Sequence, residues 1–137
     1  AELARYLRAG DIVKITGILG AGKTTLVRGI VSGLGGNLAE VHSPTFSLVH
    51  NYCTASIQVN HCDFYRLPND SELVDFGGAE FFADDFLYLV EWPEKIEAII
   101  SVIPNRLLGV DLRVDANCHE ATLLGAWQIV DQIIIGC

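Results

Sequence analysis

At 137 residues, half of them apolar, the chain suits one domain with its own core and is too apolar for disorder. Seventeen acidic against nine basic side chains give a formal net charge of −8, which argues against a chain that grips a nucleic-acid backbone by itself. No apolar run approaches the ~20 residues of a membrane span, no signal peptide opens the chain, and the four cysteines form no C-x-x-C pair; a reduced, cytoplasmic setting without a zinc framework is expected.

Glu2 to Arg8 sets Leu3, Ala4 and Leu7 at helical spacing and stops at Ala9-Gly10. The chain opens at Ala1 inside that pattern and without a methionine, so a few preceding residues are expected to be missing. Asp11 to Thr16 reads as a short strand, and Thr25 to Leu34 as a helix with Leu26, Ile30, Val31 and Leu34 in one apolar stripe, ended by Gly35-Gly36-Asn37. Between them, Gly17-Ile18-Leu19-Gly20-Ala21-Gly22-Lys23-Thr24 fits the G-x-x-x-x-G-K-[ST] pattern of a phosphate-binding P-loop.

Strand, glycine loop and helix in that order are what the chemistry requires. Glycines let the backbone curl so that successive N–H groups face an anion, and the helix adds its unpaired N–H groups and the positive end of its dipole. Leu19, Gly20, Ala21, Gly22, Lys23, Thr24 and Thr25 are the candidate cofactor-binding residues. Lys23 would reach the β- and γ-phosphates of a nucleotide, and the Thr24 hydroxyl would hold Mg²⁺. Without ligand, Lys23 is expected to be mostly exposed. The alternative is a glycine turn that merely joins strand to helix.

Ser43-Pro44-Thr45-Phe46 opens an alternating run to Tyr52, and Ile57 to Cys62 alternates again after a short connection; the pair is predicted to be a hairpin. The second strand runs into Asp63, placed like a metal-facing aspartate downstream of a P-loop; the alternative is a cap or turn residue. Asn69 to Phe76 resembles a helix ended by Gly77-Gly78, with a further turn over Ala79 to Ala83. Phe86 to Val90 is a continuous apolar run, the signature of a strand buried on both faces of a parallel sheet. It ends in Glu91-Trp92-Pro93. Glu91 is a second acid at a core strand's end, placed to face a cation or its water, and otherwise a surface glutamate. Trp92 reads as a core or rim aromatic. Ile96 to Val102 is predicted helical, Arg106 to Val114 and Glu120 to Leu124 read as antiparallel edge strands, and Ala126 to Ile135 as a closing amphipathic helix. Asp75-Phe76-Gly77 spells the kinase D-F-G and, with Gly78, the GTPase D-x-x-G. No H-R-D loop and no N-K-x-D guanine reader accompany them, so both are coincidences.

Taken in order, the P-loop, Ser43-Pro44-Thr45-Phe46, His61-Cys62-Asp63-Phe64-Tyr65-Arg66-Leu67 and Glu91-Trp92-Pro93 make the chain, over roughly Leu3 to Val114, resemble the TsaE (YjeE) family, small bacterial P-loop ATPases of tRNA threonylcarbamoyladenosine synthesis. The resemblance implies a P-loop NTPase-like α/β fold: a mostly parallel central sheet flanked by helices, with antiparallel edge strands. It implies ATP and Mg²⁺ as cofactors, Thr24, Asp63 and Glu91 at the metal, and Lys23, Asp63, Glu91 and Thr45 as the catalytic set, Thr45 lying in a switch-like segment. The implied partners are two proteins of the sugar-kinase-like superfamily, with tRNA reached only through that complex. One departure is Ile18, where the family commonly has an acid after the first glycine. The family also uses its N-terminal segment near the adenine. ATP hydrolysis is expected to be slow alone and stimulated by partners. A stand-alone small-molecule kinase and a nucleotide-dependent scaffold with negligible turnover are the alternatives; a kinase would want a lid of phosphate-clamping arginines, and only Arg66 and Arg28 are candidates for that region.

Overall fold

Strand β1 (Ile12–Thr16) lies inside the sheet with neighbours on both sides, and the elements that bear on the site are arranged from it. The computed structural model describes residues 2–17, 22–37, 39, 41, 48–66, 77–83, 85–115, 118–125 and 130–136. Among them seven strands form one sheet. Its order is β2 (Val49–Tyr52), β3 (Val59–Asp63), β4 (Leu87–Glu91), β1, β5 (Leu107–Asp115), β6 (Cys118–Gly125) and β7 (Val130–Gly136). β3, β4, β1 and β5 are mutually parallel; β2 pairs antiparallel with β3 at one edge, β6 and β7 antiparallel at the other. The parallel centre and antiparallel edges match the expected α/β class, but β5, read from the sequence as an antiparallel edge strand, lies inside the sheet and runs parallel to β1.

β4 shows why the centre is parallel. All five of its residues are buried, as a strand covered on both faces must be. Its alternation sends Leu87 and Leu89 to one face, with Val13, Ile15, Val27, Ile30 and Val31. Tyr88 and Val90 go to the other, with Ile12, Cys62, Phe64, Phe82, Ile96 and Ile100. Helix α1 (Lys23–Gly33) covers the first face. The second is covered by the 3₁₀ turns Gly78–Phe82 and Pro93–Ile96 and by the short helix α2 (Glu97–Ile100). The buried stripe of α1 includes Val27, whereas Leu26 is only partly buried. Truncating a side chain such as Leu89 would cost about 2–5 kcal/mol.

α1 stops in a Schellman turn. Gly35 is left-handed at φ 87, its N–H bonds the Ser32 carbonyl at 3.0 Å, and the Gly36 N–H bonds the Val31 carbonyl at 2.8 Å. At the opposite end of the strands from the glycine loop, Asp11 accepts from Arg106 while the Asn105 amide donates to the carbonyls of Gly10 (2.7 Å) and Phe82 (2.9 Å). A cavity of about 660 Å³ opens there, lined among others by Arg8, Asp11, Glu80 and Asn105.

Several expectations need correction. The N-terminal segment is a 3₁₀ helix over Glu2–Tyr6, not an α-helix to Arg8. The helical stretch after Pro93 holds only one four-residue α-helix. The closing helix over Ala126 to Ile135 is overturned: Val130–Gly136 is strand β7, paired with β6. The β-branched run Ile133-Ile134-Ile135 favours a pleated strand, and the open edge of β6 supplies the partner. The helix expected over Asn69 to Phe76 lies outside the described residues.

Candidate functional site

The site is set by strand ends. In a parallel sheet the carboxyl ends of neighbouring strands meet at one edge, and here Ile15 pairs in register with Glu91, and Asp63 with Glu91. Alternation decides the face: Glu91 follows Leu87 and Leu89, and Asp63 and His61 follow Val59, so all three share the α1 side. The two sequence-predicted carboxylates are therefore neighbours beneath the start of α1. Glu91 is 3% exposed, which rules out a surface glutamate. Asp63 is half-buried, and its Oδ1 accepts the Tyr65 N–H at 3.0 Å. It thus also fills the turn role left open for it, with Oδ2 remaining.

β1 ends at Thr16, whose hydroxyl donates to Asp111 Oδ1 on β5 at 3.0 Å, fixing the point where the chain leaves the sheet. Gly17 follows with φ 147. Gly22, at φ 93, opens α1 from the left-handed region that glycine adopts without strain. Among the described residues no side chain caps α1 and no acid stands in its first turn, so its first N–H groups and the positive end of its dipole are open to an anion from outside the helix.

Lys23 is 6% exposed, contrary to the expectation of an exposed ligand-free lysine. Its ammonium donates to the Gly17 carbonyl at 2.8 Å and sits 4.0 Å from the centroid of the Trp92 ring. Trp92 is half-buried, 4.9 Å from the Tyr65 ring, and left-handed at φ 57. Cation–π attraction and one hydrogen bond offset the burial of the charge. Thr24 is half-buried and Thr25 exposed on the same helical turn. Leu19, Gly20, Ala21 and Thr45 lie outside the described residues, as does Ile18.

Burial raises the Asp63 carboxyl above the ordinary aspartate range. The Tyr65 N–H opposes this, the Glu91 charge adds to it, and His61 and the Lys23 ammonium oppose it. Behind Asp63, burial and its charge push the Cys62 thiol well above the usual range, so this thiol is an inert core group. Arg28 is turned away, its Nε donating to the Val41 carbonyl at 3.2 Å.

Two features escaped the sequence. His61 has its Nε2 2.5 Å from Glu91 Oε2 with both side chains buried, and Trp92 forms the platform under Lys23. The first had a signal: His61 and Asp63, two apart on a strand, must share a face. The second had none, because a contact between Lys23 and Trp92 needs the sheet order.

Among the described residues no group of three or more His, Cys, Asp or Glu side chains converges to cage a metal. Mg²⁺ needs no such cage, since it keeps several waters and takes one or two carboxylates plus phosphate oxygens. With the free helix start, a lysine beside it and two carboxylates facing it, the residues present fit a Mg²⁺-bound phosphate group.

The fold and this edge define a protein class: an α/β protein with a strand–glycine loop–helix unit set against two acidic strand ends. The family model for "Threonylcarbamoyl adenosine biosynthesis protein TsaE" matches residues 1–121. Similar proteins carrying the name tRNA threonylcarbamoyladenosine biosynthesis protein TsaE include one from Haemophilus influenzae, 43% identical over 109 residues, covering 80% of this chain and 68% of the relative. Another, from Bacillus subtilis, is 39% identical over 94 residues, 69% of this chain and 58% of the relative. A third, from Rickettsia felis, is 37% identical over 123 residues, 89% and 70% respectively. Over these matches the chain spans 58% to 70% of the relatives' length. The crystal structure of Bacillus subtilis YdiB superposes with a TM-score of 0.66 at 28% identity, covering 89% of this chain and 72% of that one. The chain belongs to the TsaE family of tRNA threonylcarbamoyladenosine biosynthesis. Among the described residues no helix is long and apolar enough to cross a membrane.

Proposed function

We propose that the chain is a P-loop ATPase that binds and hydrolyses Mg²⁺-ATP in the cytoplasm, as part of the assembly that makes the threonylcarbamoyl modification of tRNA adenosine. The observation that carries this reading is the meeting of Lys23, Asp63 and Glu91 at the uncapped start of α1.

Each residue has work that its surroundings suit. The N–H groups at the start of α1 bind phosphate oxygens, and Lys23 exchanges the Gly17 carbonyl and the Trp92 ring for the β- and γ-phosphates. Thr24 would hold the metal through its hydroxyl, and Asp63 and Glu91 would bind it or its waters. Bound Mg²⁺ would neutralise charge on the phosphoryl oxygens. The burial of Glu91 and of Lys23 keeps bulk water from these two groups, which strengthens their interactions. Thr45 and a partner surface would complete the set that Lys23 and one metal leave incomplete. With a net charge of −8, the chain reaches tRNA only through its two sugar-kinase-like partners.

Of the two arginines named for a kinase-type lid, Arg28 donates through Nε to the Val41 carbonyl, which does not favour the stand-alone kinase reading. Calorimetric titration with Mg²⁺-ATP tests the proposal: saturable binding by the wild type, abolished or much weakened in Lys23→Ala, is expected. Equal binding by both would remove the site assignment.

A further inference from the structure

His61, hydrogen-bonded to Glu91, has no role of its own among the proposed phosphate and metal contacts. His61 is wholly buried on β3, its Nε2 lies 2.5 Å from Glu91 Oε2, and among the described residues its Nδ1 is buried without a hydrogen-bond partner. These facts fix the proton. With the hydrogen on Nδ1, a buried N–H would go unpaired; if Glu91 were also ionised, two acceptors would face each other at 2.5 Å. With the hydrogen on Nε2, the carboxylate gains a charge-assisted donor and only a lone pair is unmet, which costs less than an unpaired N–H.

We infer that His61 is a positioning residue: its Nε2–H clamps Oε2 of Glu91, so that the carboxylate turns its other oxygen toward Asp63 and the start of α1. A glutamate has three side-chain torsions, and Glu91 ends a strand where a small rotation would carry its carboxylate away from that edge. The Tyr52 ring lies 6.1 Å from the imidazole, Leu89 is its register partner on β4, and among the described residues Nδ1 meets no second polar partner. The inference rests on the reading of Glu91 as a group acting on the metal or its water.

The test has two arms. In the ligand-free protein, nitrogen-15 spectra of the imidazole should show His61 protonated at Nε2, with that proton shifted upfield in Glu91→Gln. A proton on Nδ1, or a spectrum indifferent to Glu91→Gln, overturns the inference. In the second arm, His61→Leu should keep nucleotide affinity near wild type and lower turnover about 10- to 100-fold, the usual cost of removing an outer-shell partner. His61→Gln, whose amide reaches to the same place, should recover turnover to within about fivefold of wild type on the same scale. His61→Leu added to Glu91→Gln should lower it no further. Wild-type turnover in a folded His61→Leu protein overturns the inference. Should His61→Leu fail to fold, His61→Gln decides: near-wild-type turnover supports the clamp, and a loss equal to that of Glu91→Gln overturns it. A wild type that never hydrolyses ATP removes the proposed function instead, and the imidazole spectrum alone then decides whether His61 holds Glu91.

Discussion

The ammonium of Lys23 lies 4.0 Å from the centroid of the Trp92 ring and donates 2.8 Å to the Gly17 carbonyl, so the loop's own cation is stowed inside the protein. Trp92 holds its ring there from a left-handed backbone at φ 57, which a bulky side chain adopts only when its neighbours over-determine it. Phosphate binding must draw Lys23 off the ring. Trp92 emission should therefore change when ADP is added, read in a Trp127→Phe background that leaves Trp92 as the sole tryptophan. The change should be absent in Lys23→Met. An ADP response that survives Lys23→Met would mean that the ring senses something else.

Lys23→Ala should lower ATP turnover by about a hundredfold or more, on the order of 3 kcal/mol, since it removes the side-chain cation assigned to the transferring phosphoryl group. The fold should persist with a small loss of melting temperature, because one hydrogen bond and one cation–π contact are given up while a buried charge is relieved. Circular dichroism melts and phosphate release, measured together, check both halves.

Asp63 should be a site where function opposes stability. Burial raises its carboxyl, and the Glu91 charge adds to that, so the folded chain keeps the proton at pH values where the unfolded chain has lost it. Stability then falls as pH rises from the ordinary aspartate range through the folded value. Asp63→Asn should be more stable than wild type at pH 7 by about 0.5–2 kcal/mol while losing hydrolysis. The gain should vanish at pH values below the ordinary aspartate range. Urea denaturation of the metal-free protein at several pH values is the measurement, and a gain that grows toward acid would contradict the electrostatic account.

The end of α1 offers a test remote from the chemistry. A Cβ added at Gly36 would lie 2.5 Å from Val31 Cγ1 and 3.0 Å from the Val31 carbonyl oxygen. Gly36→Ala should therefore destabilise by about 1–3 kcal/mol, the cost of overpacking. Nucleotide affinity should stay near wild type in the folded fraction. A melting temperature equal to wild type would show that the turn yields freely.

What was legible in the sequence is what local chemistry dictates. Gly22 and Lys23 announce a loop–helix junction because few other residues allow that backbone beside a cation. The Phe86–Val90 run announces a doubly covered strand because a strand with one solvent face would alternate, and Leu87 to Val90 are indeed all buried. Asp63 and Glu91 stood out as acids at strand ends, and parallel pairing made them neighbours. That His61 shares the face of Asp63 was legible from their spacing, but its pairing with Glu91, thirty residues away, was not, since only the β3–β4 register brings them together. Lys23 was expected in solvent for the same reason, as its platform at Trp92 is a tertiary contact. Residues 130–136 were misread because Val130, Ile133 and Ile134 mimic one helical face, while the free edge of β6 that recruits them is invisible to periodicity.

The central claim is hydrolysis completed by partners, and steady-state phosphate release tests it most directly. The chain should be assayed alone and with the two sugar-kinase-like partner proteins, as wild type and Lys23→Ala, at two ionic strengths. The account predicts slow release by the chain alone and a rise of at least about tenfold with partners, within the span that in-trans completion supplies to P-loop enzymes. The rise should vanish in Lys23→Ala and weaken with salt. Fast release by the isolated chain, indifferent to partners, would contradict it.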